Sequence, residues 1–411
     1  MSRLVLENFR IVDKTTDILG TVIVEDGLIK DVLPGQNSGA VHNADMVIDG
    51  SGKVLMPAFV DLHAHFRDPG FPEKETLESA SLAAVSGGYG TVICMANTKP
   101  VIDTMEKAAS LKVRSDTLGL IDLYPVLSLT KGMEGKELSG IAALNGYTPL
   151  MISEDGKDVI DEKIFLAAMA EAKRLNIPVS CHCDFGGDEN AATERAIALG
   201  IEAGCHIHIA HVSTKKAMDF IVGKKHSLKL SCEVTPHHLA ATEADARRLG
   251  NDSWGRVNPP LRTEDDRQAL IAAVKNGFAD AIATDHAPHS HADKKNGAPG
   301  FTGLETAFGV CVKELVETNV IDLPALSGLL SANPAEILGL KNRGRVMPNF
   351  RADLVIADIN APWVVKPEIF KSRGENSPFA GRKLKGKILM TLHHGRIVFD
   401  DGGNYERLCN G

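Results

Sequence analysis

The feature that most constrains this chain is a cadence. Short apolar runs of strand type alternate with helix-type segments through most of the sequence. The strand-type runs fall at 54–60, 91–95, 123–127, 150–152, 178–183, 206–211, 228–234 and 281–284. Between them lie helical patterns at 75–85, 163–175, 191–203, 214–222 and 265–275, the first of them stopped by Gly87-Gly88. Alternation of this kind makes a parallel sheet with helical crossovers, and eight β units favour closure into a (β/α)8 TIM-like barrel over an open sheet. The open doubly wound alternative has no Gly-rich phosphate fingerprint after its first strand to support it.

The ends of the chain have a different texture. Residues 1–53 hold short β-type runs such as Thr21-Val22-Ile23-Val24, punctuated by turns such as Glu25-Asp26-Gly27. Residues 345–411 repeat the pattern, with Ala352–Asp358 and Gly395–Asp400 as examples. The two ends are therefore expected to build one small β-sandwich domain, leaving 54–344 for the barrel. Tyr405–Gly411 reads as a loose terminus.

In a barrel, chemistry sits where the strands end. The first strand ends at His63 and His65, and residues two apart on a strand can present both imidazoles to one ion. The fourth strand runs into Ser153-Glu154-Asp155-Gly156, the fifth gives His182, the sixth His211 and the eighth Thr284-Asp285-His286. Taken singly, His182 or His211 would more often be a core histidine, and Asp155-Gly156 an ordinary turn. Their placement at one end of the sheet suits two divalent ions sharing a bridging group. Imidazole with carboxylate favours zinc and, less selectively, manganese, cobalt or iron. His206 and His208 cannot share a centre with His211 on a regular strand, and the latter lies nearest the strand end. His237-His238 are expected to support the site or the core, as ligating histidines need partners to fix their tautomer.

Composition excludes several classes. With 44% hydrophobic and 24% charged residues in 411, the chain can bury a large core. A net charge of −8 and a pI near 6.0 give no basic face for nucleic acid or an acidic membrane. No apolar run approaches the roughly 20 residues of a membrane span, and Met1–Glu7 lacks the apolar stretch of a signal peptide. Seven scattered cysteines, Cys181 and Cys183 among them, read as buried thiols in a reducing compartment, with the cytoplasm as the expected location.

Several motifs together resemble the dihydroorotases of the amidohydrolase superfamily. They are Asp61-Leu62-His63-Ala64-His65-Phe66-Arg67-Asp68-Pro69-Gly70, Met95-Ala96-Asn97-Thr98, His211-Val212-Ser213-Thr214, Asn258-Pro259-Pro260-Leu261-Arg262 and Ala283-Thr284-Asp285-His286-Ala287-Pro288-His289. Gly303–Phe308 and Ser377–Gly381 extend the likeness, which runs in order along essentially the whole chain. The resemblance implies that His63, His65 and Asp285 hold one zinc, that His182 and His211 hold the other, and that Asp155 bridges them. Many relatives bridge with a carboxylated lysine, but the strand Pro149-Leu150-Met151-Ile152 offers none, and Lys157 beyond the turn reads as a solvated charge. The same resemblance places a substrate carboxylate against Arg67, Asn97 and His289, with Asn258 near the ring; Pro299 and Gly300, in the segment 288–303, are expected to touch substrate through backbone.

The implied activity is reversible cyclisation of N-carbamoyl-L-aspartate to L-dihydroorotate with loss of water, a step of de novo pyrimidine (UMP) biosynthesis. The two ions would generate hydroxide near neutral pH, and Asp285 would act as general base and then general acid. A homodimer, or contact with other enzymes of the same pathway, would fit the family. The sequence departs from it after the fifth strand, where Asp184–Asn190 leads quickly into a helix in place of a longer excursion, which affects the pocket wall. The segment 288–303, rich in Gly, His and Lys, reads as a mobile loop over the site. Two rivals remain: a sister cyclic amidohydrolase (hydantoinase, dihydropyrimidinase or allantoinase), for which Arg67 would have no purpose, and a non-catalytic partner protein, which would be expected to have lost ligands.

Overall fold

The computed structural model describes residues 3–35, 44–141, 147–227 and 229–402. The expected loose terminus at 405–411 and the expected strand start at Leu228 lie outside them. Five strands precede the barrel: β1 (Arg3–Asp13), β2 (Thr16–Glu25), β3 (Leu28–Pro34), β4 (Met46–Asp49) and β5 (Val54–Pro57). The barrel strands are β6 (Phe59–Ala64), β7 (Tyr89–Cys94), β8 (Asp122–Pro125), β9 (Ile152–Ser153), β10 (Val179–Cys181), β11 (Ile207–Ile209), β12 (Leu230–Val234) and β13 (Ala281–Ile282). All pairings among them are parallel, in one run β6-β7-β8 and another β9 to β13. Two single bridges close the circle, Leu127 with Ile152 and Ala64 with His286. The His65 N–H also donates to the His286 carbonyl at 2.8 Å, so closure fixes the two strand ends that carry His65 and Asp285.

Helices follow seven of the eight barrel strands: α1 (Leu77–Ser86), α2 (Met105–Leu118), α3 (Glu162–Leu175), α4 (Glu189–Ala203), α5 (Lys215–Lys224), α6 (Pro236–Ala240), α7 (Glu243–Leu249), α8 (Glu264–Lys275) and α9 (His291–Lys295); after β8 the described residues hold only the 3-10 turn Lys131–Met133. Their starts are written in side chains that accept orphan N–H groups: Thr76, Asp161, Asp188, Thr214 and Thr263 each cap a helix. Helix α2 is absent from the expected pattern. It buries only Met105, Ala108, Leu111 and Ser115, a stripe too narrow and polar to announce itself. No helix among the described residues is long and apolar enough to cross a membrane.

The terminal strands β14 (Leu354–Asp358), β17 (Lys387–His393) and β18 (Arg396–Asp400) join β1 to β5 in one sheet, and β15 (Trp363–Val364) pairs separately with β16 (Lys383–Leu384). A bulge in β1 between Leu6 and Phe9 lets its first half pair with β4 and its second with β5, bending the sheet over a core of Leu6, Phe9, Ile11, Val22, Ile356 and Met390. The apolar run at 54–60, expected as one strand, is two. Val54–Pro57 pairs with β1 and β14, and Phe59 onward belongs to the barrel. The pairing argues for drawing the division after Pro57 and not after Lys53. The terminal sheet is tied to the barrel by a buried ion cluster. Asp122 on β8 meets Arg343 and Arg351 at 2.7 Å each, while Asp353 takes Arg351 at 2.9 Å and His393 at 3.3 Å.

Candidate metal centre

Each proposed ligand sits at or just beyond a strand end, and local backbone geometry aims it inward. His63 lies within β6 and His65 one residue past it. His211 (φ 33°) and Asp285 (φ 47°) adopt left-handed backbone conformations that break their strands and turn the side chains toward the barrel axis. Arg67 (φ 57°) and Cys183 (φ 57°), beside the same site, do likewise. Non-glycine residues pay for such conformations, and their clustering here is typical of a functional site. Beneath them, Asp61 accepts the Thr284 N–H at 2.9 Å and its hydroxyl at 2.5 Å, locking the first strand to the eighth.

The side chains converge. His65 Nε2 is 3.2 Å and His63 Nε2 3.7 Å from Asp285 Oδ1. Asp155 lies in the middle of the group. Its Oδ1 is 3.2 Å from His63 Nε2, 3.3 Å from His182 Nδ1 and 3.7 Å from His211 Nε2, and its Oδ2 is 3.5 Å from His65 Nε2. Two ligand sets of three satisfy the distance limits for one ion, His63-His65-Asp285 and His63-Asp155-His211. His182 joins the second through its 2.9 Å approach to His211.

These residues fit a metal better than they fit one another. His63 Nε2 and Asp155 Oδ1 are buried and 3.2 Å apart, yet neither makes a hydrogen bond. Buried polar atoms without partners are rare and need an explanation. Ligand atoms about 2.1 Å from a tetrahedral ion lie about 3.4 Å from each other, which is the spacing found here. Lys157 donates to the Met133 carbonyl at 2.7 Å and takes no part.

The electrostatics match. Burial alone would raise the Asp155 carboxyl, but the facing imidazoles outweigh it and hold it well below 3.8. Asp285 is likewise raised by burial and lowered more by His65, His63 and His211, so it too is anionic. Behind the ligands, Glu233 on β12 faces His63 Nδ1 at 3.1 Å and His208 Nε2 at 3.0 Å. Burial opposes its charge, yet the two histidines bring its carboxyl to about 2. His208 Nδ1 then meets Ser231, which also meets His206, each at 2.9 Å. This buried relay answers where His206 and His208 point. Glu233 itself is missing from the sequence reading, because a lone acid in the apolar run Leu230–Val234 carries no spacing signal; only its position on a barrel strand could have raised it.

On the open side, a cavity of about 230 Å³ is lined by His65, Arg67, Asn97, Asp155, His182, His211, Asn258, Asp285, His289, Pro299 and Gly300 among others. It therefore gathers every residue the sequence nominated except His63. Asn97 Oδ1 is 2.9 Å from His65 Nδ1 and its amide is 3.4 Å from Asp155 Oδ2. Asn258 sets its amide 3.0 Å from His182 Nε2 and 3.3 Å from Asp184. Arg67 contacts the Pro288 carbonyl at 3.3 Å and His289 Nε2 at 3.2 Å, with no carboxylate at ion-pair distance among the described residues. His237 and His238 are buried, His238 hydrogen-bonded to Thr235 and the Pro259 carbonyl. The segment 288–303, expected as a mobile loop, contains α9 and is held by side chains from outside it, Arg67 on the Pro288 carbonyl and Lys74 3.7 Å from Asp293 among them. Asn376 also donates to the carbonyls of Ala287 and Gly300 at 3.0 Å each.

Comparison with known proteins agrees with this geometry. Residues 54–398 match the model of the amidohydrolase family. A protein of Clostridium botulinum (strain Eklund 17B / Type B) described as dihydroorotase is 39% identical over 406 residues, covering 96% of this chain and 99% of the relative. A dihydroorotase of Aquifex aeolicus (strain VF5) is 35% identical, covering 98% and 100%. Among solved structures, the L-hydantoinase (dihydropyrimidinase) from Arthrobacter aurescens superposes with a TM-score of 0.87 at 23% identity, covering 98% of this chain and 97% of its own, a likeness of fold.

Proposed function

Because the chain belongs to the amidohydrolase family, and within it to the dihydroorotases, we propose that it interconverts N-carbamoyl-L-aspartate and L-dihydroorotate at this centre, in pyrimidine biosynthesis. The observation that carries the substrate reading is Arg67. Its guanidinium faces the cavity beside the ligand cluster and has no carboxylate at ion-pair distance among the described residues, so a carboxylate on the substrate would complete it. A neutral ring would leave that charge unanswered.

His63, His65 and Asp285 would hold one divalent ion, His182 and His211 the other, with Asp155 between; the nitrogen and oxygen donors suit zinc. When bound, the ions would lower the pKa of water and polarise the ring carbonyl. Asp285 is buried and anionic, and it borders the cavity. It is thus placed to take a proton from the attacking water and return it to the ring nitrogen as the amide opens. In the reverse direction the same oxygen would take the carbamoyl N–H proton as the N–C bond forms and give it to the departing carboxyl oxygen, which leaves as water. Arg67, Asn97 and His289 orient the carboxylate, and Asn258, held by His182 and Asp184, faces the ring.

The test is steady-state hydrolysis of L-dihydroorotate by zinc-reconstituted protein, with hydantoin, dihydrouracil and allantoin in parallel and Asp285→Asn as the blank. Turnover of dihydroorotate alone, lost in the blank, is expected. Turnover of a neutral ring in its place would overturn the reading.

A further inference from the structure

Lys294 is the one lysine among the described residues whose side chain is wholly buried, and it has no acidic partner. Its Nζ donates to three carbonyls: Arg256 at 2.9 Å, Ala298 at 2.9 Å and Gly300 at 3.0 Å. The Phe301 ring lies on another side, 5.4 Å away. Three acceptors use all three N–H groups of an ammonium, whereas a neutral amine has two and would turn a lone pair toward the third carbonyl.

What those carbonyls belong to gives the contact its meaning. Arg256 stands two residues before Asn258, and the Ala298 and Gly300 carbonyls flank Pro299, whose own carbonyl lies 2.9 Å from His289 Nε2. The Arg256 carbonyl also receives the Gly300 N–H at 3.0 Å. One buried charge therefore joins the segment bearing Asn258 to the segment bearing Pro299 and Gly300, two walls of the cavity.

We propose that Lys294 is a positioning residue for substrate binding, whose ammonium sets the Asn258 and Pro299–Gly300 walls and whose deprotonation loosens them. For the identity of the substrate this rests on the function proposed above. Burial, with the charge of Arg256 adding to it, brings the Lys294 ammonium down to about 8, so the three-way contact weakens within an accessible pH range. The other titratable groups around it do not offset this. Asp293 on the same helix turns to Ser290 and toward Lys74, and His289, driven down to about 3 by burial and by Arg67, is neutral. Beyond Phe301 stands His237, also held neutral by burial.

The experiment follows KM and kcat for L-dihydroorotate against pH in the zinc-loaded wild type and in Lys294→Met, together with amide exchange of Gly300 in the wild type. Loss of one hydrogen bond of this kind corresponds to about a tenfold effect. Lys294→Met should raise KM about tenfold with kcat within twofold, and the rise of wild-type KM above about pH 8 should be absent from the variant. A folded variant with wild-type KM would overturn the proposal. Should the variant not fold, the wild-type exchange decides: Gly300 protection, corrected for intrinsic rate, should fall about tenfold from pH 7 to 9, and constant protection would overturn it. Exchange needs no substrate, so a wild type inactive on dihydroorotate defeats the functional reading and leaves this measurement standing.

Discussion

At Arg67 the charge, the backbone and the cavity all point to one ligand group. A bidentate contact with a carboxylate is two charge-assisted hydrogen bonds, so Arg67→Met should raise KM for dihydroorotate on the order of a hundredfold with no change in metal content. Steady-state kinetics with parallel metal analysis checks this. Glu233 acts one layer further back. It holds the Nδ1 side of His63, which fixes the ring so that Nε2 faces Asp155. Glu233→Gln should lower zinc affinity about 10–100-fold, measured by competition with a chromophoric chelator, with little change in unfolding midpoint of the metal-free protein. The contrast between these two residues says what the sequence makes legible. His63, His65, Asp155, His182, His211 and Asp285 can be found because strand ends converge by topology. Glu233 and Lys294 carry no such spacing signal, since a single polar residue acquires its role from its three-dimensional neighbours.

Among the elements, α4 shows how a short connection can still position a strand end. Asp188 caps the helix by accepting the Ala191 N–H at 3.1 Å, an exposed contact. The next residue, Glu189, is buried and accepts the N–H of Ser213 at 2.8 Å and of Thr214 at 3.2 Å, besides pairing with Arg262 at 3.2 Å. It links the helix after the fifth strand to the turn after the sixth, just beyond His211. Asp188→Ala should cost about 1 kcal/mol, the worth of a cap. Glu189→Ala should cost about 3–5 kcal/mol, since it strands a guanidinium and several N–H groups, and denaturant unfolding of both variants tests the difference. The helix itself was readable at 191–203 from its pattern, but its start at Glu189 was not, because the Asp188 cap carries no periodicity of its own. The division of residues 54–60 into two strands was not, because both halves are equally apolar and only the partner strands separate them.

For the whole molecule, the Asp122-Arg343-Arg351-Asp353-His393 cluster decides how the terminal sheet and the barrel respond to acid. Burial raises both carboxyls, but the arginines and His393 outweigh it, and each is held below its ordinary 3.8 when folded. Groups so depressed contribute fully above the unfolded value and lose their contribution as pH falls through the folded one. Wild-type stability should therefore drop from about pH 5 to about pH 2 more steeply than that of Asp353→Asn, which should already be about 3–5 kcal/mol less stable at neutral pH. The barrel and the joint construction of the sheet from both termini were legible because periodicity is a property of the sequence. The ion cluster was not, as Asp122 lies more than 200 residues before the other four members. Two ions astride Asp155 and a substrate carboxylate on Arg67 are both read by anomalous diffraction at the zinc edge from crystals soaked with L-dihydroorotate. Two peaks, one by His63, His65 and Asp285 and one by His182 and His211, with the ring carboxylate against Arg67, are predicted. A single peak away from Asp155, or a carboxylate seated elsewhere, would contradict this arrangement.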